Sequence, residues 1–199
     1  MRRIVLTLSF LLCILVPLVM GSEEVVAFTY TQPERRVLVD RDSVYALCKT
    51  IAPKYGFNPL MVLAQVEQES SYRETAVRLE QNYLVKYVQT DPVGSKCSPS
   101  VQALLASSFG FGQLLGHSLL QVGYFPATDS VSIAVRLDEY VASPDQQIDT
   151  MCKFLQKKQG MGTDHSLDAA LTRYNGSSDY PPLVYARFNK LHTIYGDPQ

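Results

Sequence analysis

The stretch Asn58-Pro-Leu-Met-Val-Leu-Ala-Gln-Val-Glu-Gln-Glu-Ser-Ser-Tyr72 has the pattern of a buried helix that ends in charged residues. Asn58 can cap the free backbone amides, and Pro59 has the fixed φ angle that suits the first helical position. Residues 60–66 are almost entirely apolar, which predicts a helix that is buried on most sides. Because Glu-Gln-Glu-Ser follows at 67–70, a carboxyl group is expected beside the core.

An unpaired carboxylate is costly to bury, and burial raises the pKa of a carboxyl group instead. A carboxylic acid that keeps its proton near neutral pH is what cleavage of a glycosidic bond requires. At about 100° per residue, Glu67 points into the sector of Leu60 and Leu63, whereas Glu69 falls at its border beside Val62. Periodicity alone therefore favours Glu67 as the buried acid. Two acids at a helix end are also typical of solvated surface groups.

Residues 1–21 have the composition of a signal peptide. Arg2 and Arg3 precede an apolar run at 4–20, and a cut after Gly21 is plausible. The run is slightly shorter than the ~20 residues that span a bilayer, which favours cleavage over an uncleaved anchor. We therefore expect an exported protein, in the periplasm, the cell envelope or outside the cell. It would touch a membrane only through this segment, if the segment is retained.

Charge and composition exclude one class of partner. The sequence carries 18 Lys and Arg against 19 Asp and Glu, a net charge of −1. Such a balance lacks the basic footprint of a nucleic-acid-binding protein, so no nucleic acid is expected. Tryptophan is absent and there are 12 tyrosines. Tyrosines on a cleft wall can stack on sugar rings and form hydrogen bonds with sugar hydroxyls.

Three cysteines follow the signal peptide, and an odd number in an exported protein permits one disulfide and one free thiol. Cys48 and Cys152 fall on apolar positions of predicted helices and Cys97 in a loop, which leaves the pairing open. A nucleophile set of Cys152, His165 and Asn175 is conceivable. A buried structural thiol suits the helix-interior position of Cys152 better.

The rest of the chain predicts a mostly α fold with little or no β-structure. Further helices are predicted at 41–55, 101–106, 130–140, 145–159, 167–174 and 183–195. The expected N-caps include Asp42 or Ser43, Ser100 and Ser166. The segment 73–80 could be a short helix or an irregular crossing. Residues 22–41 are expected to form an N-terminal arm, and residues 42–199 the folded domain.

A second unusual stretch is Ser107-Ser-Phe-Gly-Phe-Gly-Gln-Leu-Leu-Gly116. Gly110 and Gly112 allow a close approach of the backbone to another group, and Gln113 offers both a donor and an acceptor. The stretch is therefore a candidate binding loop. It is equally compatible with a helix-entry turn that contains a structural glycine pair.

Three segments in this order resemble the motifs of lytic transglycosylases of the soluble-transglycosylase type, in the goose-lysozyme-like group. The first is the apolar helix with Glu-Ser at 69–70, followed by Ala76-Val77. The second is the Gly-x-x-Gln turn at 110–113, and the third is Ala170-Leu-Thr-Arg-Tyr-Asn-Gly176. The resemblance covers about residues 42–196 and implies a lysozyme-like helical domain. It assigns the catalytic acid to Glu69, because the family's glutamate precedes a serine.

The family resemblance also implies a reaction. It is cleavage of the β-1,4 bond between N-acetylmuramic acid and N-acetylglucosamine in peptidoglycan, with Glu69 as acid and then base and a 1,6-anhydro end as product. The resemblance gives Ser70 and Gln113 contacts with the sugar or its acetamido group. Tyr174 and Asn175 would orient Glu69 and the substrate, with a hydroxyl donated to the carboxylate from Tyr174.

Three further expectations come from the resemblance. Gly110 would belong to the substrate-binding turn, and Tyr185 falls where the family often has another cleft tyrosine. No metal and no organic cofactor is called for. The expected partner is the peptidoglycan glycan strand, and we expect a monomer.

The chain also departs from the family pattern. Gly112 stands where many relatives have Met. The run Asn175-Gly176-Ser177 lacks the small residue that more commonly follows the asparagine in the family. The longer segment 78–107, with Arg78-Leu-Glu80, resembles phage and conjugation-type members. Two alternatives therefore stay open. One is a hydrolytic muramidase, for which Glu80 is the candidate second carboxylate, and the other is a non-catalytic peptidoglycan-binding or secretion-associated protein.

Overall fold

The computed structural model describes residues 39–125 and 130–197, which all belong to one compact unit. The predicted signal peptide and nearly all of the predicted arm lie outside the described residues. Within the described part the fold is mostly α, with one small three-stranded sheet. The predicted fold class is therefore confirmed. None of the described helices is both long enough and apolar enough to cross a membrane.

The helices of the described part follow one another with short connections. Their bounds are α1 Arg41–Ile51, α2 Pro59–Ser70, α3 Gln81–Tyr83, α4 Pro99–Leu105, α5 Gly116–Gln121, α6 Ser130–Val141, α7 Pro144–Gln159, α8 Leu167–Asn175 and α9 Tyr180–Tyr195. Short 3-10 turns at Ala52–Tyr55 and Gly94–Lys96 and a π-helical turn at Leu84–Val88 complete the helical structure. The predicted helices all exist, with boundary shifts at several ends.

The helix starts agree with the sequence at two positions and differ at two others. Asn58 accepts a hydrogen bond from the Leu60 amide at 2.8 Å, and Ser166 caps α8, both as predicted. The cap of α1 is Asp40 instead of Asp42 or Ser43. The cap of α4 is Ser98 instead of Ser100, because Pro99 takes the first helical position.

The start of α9 lies three residues before the predicted one. Pro181 and Pro182 mark a loop in the sequence, yet both lie in the first turn of α9, where a missing amide costs nothing. Tyr180 is consequently the first residue of this helix. The shift matters because it places Tyr180 next to the end of α2.

The small sheet was not predicted. It contains β1 Val77–Leu79, β2 Ser107–Phe109 and β3 Leu114–Leu115, in the antiparallel order β1-β2-β3. The segment 73–80 is therefore neither helix nor wholly irregular, and the glycine-rich stretch is a hairpin that precedes α5. A strand whose partner lies some thirty residues away leaves no local pattern to detect.

The core is centred on α2. Leu60, Leu63 and Val66 are fully buried, and α9 packs along α2 on one side while α1 packs on another. Apolar burial of this kind stabilises the fold by about 1.5–3 kcal/mol for each large side chain. The end of α2, with its two glutamates, is thereby held between the core and the surface.

Among the described residues, Cys152, His165 and Asn175 do not form a nucleophile site. Cys48 and Cys152 are buried free thiols, and burial raises the pKa of both, that of Cys152 to about 12. His165 and Asn175 are exposed, so the conceivable set with Cys152 does not assemble. The preferred interpretation of Cys152 as a structural thiol is confirmed.

Candidate functional site

The last turn of α2 presents two half-buried glutamates with different partners. Glu67 Oε1 accepts from Arg187 Nη1 of α9 at 2.9 Å, and Glu67 Oε2 accepts from the Tyr72 hydroxyl at 2.7 Å. The Glu67 side chain is only 14% exposed. Both carboxylate oxygens of Glu67 are therefore occupied, one by a cation of α9 and the other by a hydroxyl.

Glu69 has the opposite environment. Burial raises its pKa to about 7, although the hydrogen bond from Tyr180 and the charge of Arg78 act in the lowering direction. The Tyr180 hydroxyl donates to Glu69 Oε1 at 2.5 Å. Glu69 is therefore an acid that retains much of its proton near neutral pH. Periodicity had favoured Glu67 as the buried acid. In the structure both are partly buried, and their partners distinguish them.

Tyr174 lies beside this pair but does not bind Glu69. Its hydroxyl donates to the Gly112 carbonyl at 2.6 Å, and its ring stacks on that of Tyr180 with 6.4 Å between centroids and 9° between planes. The donor to the carboxyl group is thus Tyr180, in place of the Tyr174 that the resemblance implied. Burial and the nearby charge of Glu69 raise the pKa of Tyr174, so its hydroxyl stays protonated.

Sequence reasoning missed Tyr180 because it fell in a predicted loop. The signal that could have found it is Asp179-Tyr-Pro-Pro182. Prolines are favoured in the first turn of a helix, so this run can equally begin a helix as end one. With α9 started there, its first residue comes next to the end of α2.

Gly110 forms the tip of the hairpin between β2 and β3. Its φ angle is +69°, and a Cβ at this position would lie 2.3 Å from Gln147 Oε1. Gln147 is fully buried on α7 and accepts from the Phe111 amide at 2.7 Å. Its Nε2 donates to the Glu74 carbonyl at 3.1 Å, among others. Gln147 is therefore the residue that fixes the turn, and no local sequence pattern pointed to it.

Gln113 also stabilises the turn from within. Its Oε1 accepts from the Ser108 hydroxyl at 3.0 Å, and its Nε2 donates to the carbonyls of Ala76 and Gly110 at 3.2 and 3.0 Å. Its backbone adopts a φ of 45°, which is uncommon outside glycine. The amide thus ties the hairpin to Ala76, the residue before β1. The predicted contact with a sugar would have to compete with these bonds.

The other predicted site residues are distributed around the same region. Ser70 is buried, and its hydroxyl donates back to the Val66 carbonyl at 3.2 Å. Asn175 is the exposed last residue of α8. Tyr185 is half-buried on α9 and donates a hydrogen bond to Asp168 of α8. The structure places Glu69 near Tyr174. The Ser70 hydroxyl is bonded within α2 and does not point toward a sugar site.

Arg78 and Glu80 complete the surroundings of the acid. They form an ion pair at the end of β1, in which the Arg78 side chain is 67% exposed and that of Glu80 is 34% exposed. Arg78 is also close enough to Glu69 for its charge to lower the pKa of that carboxyl group. Glu80 therefore has a cationic partner of its own.

The combined geometry is that of a proton donor held by a neutral phenol. The rigid parts are the α2–α9 contact, which carries Glu69 and Tyr180, and the hairpin, which is anchored to Tyr174 through Gly112. Such a group can protonate a leaving oxygen and take a proton back in a later step. Comparison with protein-family models, with curated proteins and with solved structures found no match.

Proposed function

We propose that this chain is a peptidoglycan lytic transglycosylase in which Glu69 acts first as acid and then as base. The observation that carries the proposal is the pKa of Glu69, which burial raises to about 7. A carboxyl group that is still protonated at neutral pH is matched to the departure of a sugar oxygen. The ordered set of motifs around it, at 63–77, 108–116 and 170–176, gives the substrate class by resemblance.

The reaction needs one carboxyl group. Glu69 gives its proton to the oxygen that links the two sugars while the bond from that oxygen to the anomeric carbon of N-acetylmuramic acid breaks. The carbonyl oxygen of the substrate's N-acetyl group bonds to that carbon and relieves its positive charge. The Glu69 carboxylate then removes the proton of the 6-hydroxyl, whose oxygen displaces the acetamido oxygen. The product is a 1,6-anhydro end, and Glu69 is protonated again.

Two features favour this route over hydrolysis. Ordinary glycoside hydrolases use a second carboxylate across the scissile bond. The acid nominated for that role, Glu80, is engaged with Arg78, and the nearby formal charge that acts on Glu69 in the described part of the chain is the cation of Arg78. The substrate's own acetamido and 6-hydroxyl groups replace the missing carboxylate and water.

Tyr180 would position the acid in this mechanism. Its hydroxyl binds one oxygen of Glu69, which leaves the other free to face the sugar. The hydroxyl holds the carboxyl group in place, and although it lowers the pKa of Glu69, burial outweighs it and the pKa stays raised. Glu67, on the same turn of α2, instead has the cation of Arg187 as its partner.

Digestion of purified peptidoglycan sacculi, followed by mass spectrometry of the soluble fragments, tests the proposal. We expect fragments with anhydro ends from the native chain and none from Glu69→Gln. Glu80→Gln and Glu67→Gln are the matched controls and should retain much of the activity. Reducing ends, together with loss of activity in Glu80→Gln, would indicate a muramidase. Sacculus binding without any product would indicate a binding protein.

A further inference from the structure

Gln65 is a polar side chain in the core whose presence there the fold does not explain. Gln65 is fully buried in the middle of α2, and neither its Oε1 nor its Nε2 has a hydrogen-bond partner among the described residues. A buried amide without partners lowers the stability of a folded protein, and such groups are rare in native structures. An apolar residue of similar length would remove that cost at this position. A structural role alone therefore gives no reason for an amide here.

The position of Gln65 relates it to the candidate acid. It precedes Glu69 by four residues, so both side chains lie on one face of α2, one turn apart. Tyr180, which donates to Glu69 across the α2–α9 contact, is also near Gln65. Burial, the charge of Glu69 and the hydrogen bond to Glu69 raise the pKa of the Tyr180 hydroxyl, whereas Gln65 and Arg187 act in the lowering direction.

We propose that Gln65 is a positioning residue for the cleavage reaction, which fixes the direction in which the Tyr180 hydroxyl donates its hydrogen. A phenol oxygen carries one hydrogen to donate and lone pairs that accept. When the Gln65 Nε2 group donates to the Tyr180 oxygen, the phenol hydrogen is left to point at Glu69. The amide then acts on the acid through the phenol. The inference rests on the proposed function for its catalytic meaning, but the hydrogen-bond chain itself can be measured without substrate.

The other described groups near Glu69 do not donate a hydrogen bond to the Tyr180 oxygen, so they do not orient its hydroxyl hydrogen. Arg78 on β1 contributes a positive charge, and Arg187 on α9 is bonded to Glu67. Tyr174 on α8 donates its own hydrogen to the Gly112 carbonyl. Gln65 is therefore the neutral donor that remains near the Tyr180 oxygen within the described part of the chain.

The test is the titration of the Glu69 carboxyl carbon by NMR in the free protein, with Glu69→Gln used to assign the signal. Tyr180 lowers the pKa of Glu69, so a weaker or misdirected phenol lets it rise. In Gln65→Met we expect the titration midpoint to move to higher pH by about half a pH unit or more. The control Gln156→Met lies on α7, where the side chain is exposed and donates to the Tyr55 carbonyl, and it should leave the Glu69 titration unchanged.

A double variant separates action through Tyr180 from direct action on Glu69. In a Tyr180→Phe background, Gln65→Met should cause no further shift of the Glu69 titration, because the phenol that links them is gone. A shift of full size in that background would overturn the inference. An unchanged titration in Gln65→Met alone would also overturn it.

Activity provides the third readout. If the chain cleaves peptidoglycan, kcat should fall about tenfold in Gln65→Met at pH 7 with KM nearly unchanged, because the acid is misdirected while the sugar contacts are intact. If the native chain cleaves nothing, the proposed function fails and the NMR titration still decides the hydrogen-bond chain. The two failures are therefore distinguishable.

Discussion

The Tyr180 hydroxyl donates to Glu69 Oε1 at 2.5 Å, across the contact between the first residue of α9 and the last turn of α2. This pairing gives Glu69 a neutral partner. Two positions earlier, Glu67 receives the cationic partner Arg187. The same short acidic run thus contains one carboxylate paired with a cation and one carboxyl group that is bonded to a phenol and has a raised pKa.

Replacing the phenol tests this pairing directly. Tyr180→Phe removes the hydrogen bond that lowers the pKa of Glu69, so the Glu69 titration should move to higher pH by about one pH unit. The cleavage rate at pH 7 should fall about tenfold to a hundredfold because the acid loses its orientation. NMR titration and product release from sacculi measure the two effects.

The matched control is Tyr185→Phe, which removes a hydroxyl on the same helix that is bonded to Asp168 instead of Glu69. It should leave the Glu69 titration in place. Equal shifts in the two variants would show that the Tyr180 contact has no special effect on the acid.

The buried acid should also make stability depend on pH. Its pKa is about 7 in the folded chain against 4.5 for the ordinary group, so the folded state holds the extra proton between these values. Stability contributed by the protonated form is present below pH 4.5 and is lost as pH rises through 7. Glu69→Gln removes this loss and should be more stable than the native chain at pH 8 by about 1–3 kcal/mol.

Urea unfolding at pH 4 and pH 8 measures this difference. The advantage of Glu69→Gln should be small at pH 4 and develop between pH 4.5 and 7. An advantage that is the same at both pH values would mean that Glu69 titrates normally in the folded chain.

The activity should follow the same group. In the proposed mechanism cleavage begins with proton donation from Glu69, so kcat/KM should fall about tenfold for each pH unit above about 7. Release of anhydro-ended fragments from sacculi between pH 5 and 9 gives the profile. A fall that begins near pH 4.5, the ordinary value for a glutamate, would exclude Glu69 as the acid.

The hairpin beside the acid should tolerate no side chain at its tip. Gly110→Ala places a Cβ 2.3 Å from Gln147 Oε1 in addition to the strain of a positive φ angle. Gly56 has a similar φ of +78° with nothing within 4 Å of such a Cβ. Gly56→Ala should therefore cost about 1 kcal/mol of unfolding free energy, and Gly110→Ala about 3 kcal/mol.

Denaturant unfolding of both glycine variants at one pH isolates the collision from the backbone strain. Gly110→Ala should also reduce cleavage, because the hairpin holds Gly112 against Tyr174. Equal costs for the two variants would show that Gln147 moves away freely and does not fix the turn.

Local pattern was sufficient for the existence of the predicted helices and for the starts of α2 and α8. Asn58 and Ser166 cap the helices that their sequence context predicts, because a cap depends only on residues within one turn. The resemblance to a family then selected Glu69 in preference to Glu67. That selection stays a prediction, and the different partners of the two glutamates support it.

The rest of the site depends on contacts between distant parts of the chain. Tyr180 is 111 positions from Glu69 in the sequence. Gln147 is 36 positions from Phe111, whose backbone amide donates a hydrogen bond to the Gln147 side chain. Neither separation leaves a periodic signal in the sequence. For the same reason the hairpin strands, the phenol partner of the acid and the buried glutamine of the turn emerged only from the structure.

The separation of Glu69 and Tyr180 has a consequence for a growing chain. α9 is the last helix of the described part, and before it is made Glu69 lacks both its cover and its phenol. An uncovered glutamate is ionised in neutral water and has no proton to give. The raised pKa of Glu69 therefore arises only when α9 docks, and under the proposed function a half-synthesised or unfolded copy would be unable to cut the polymer.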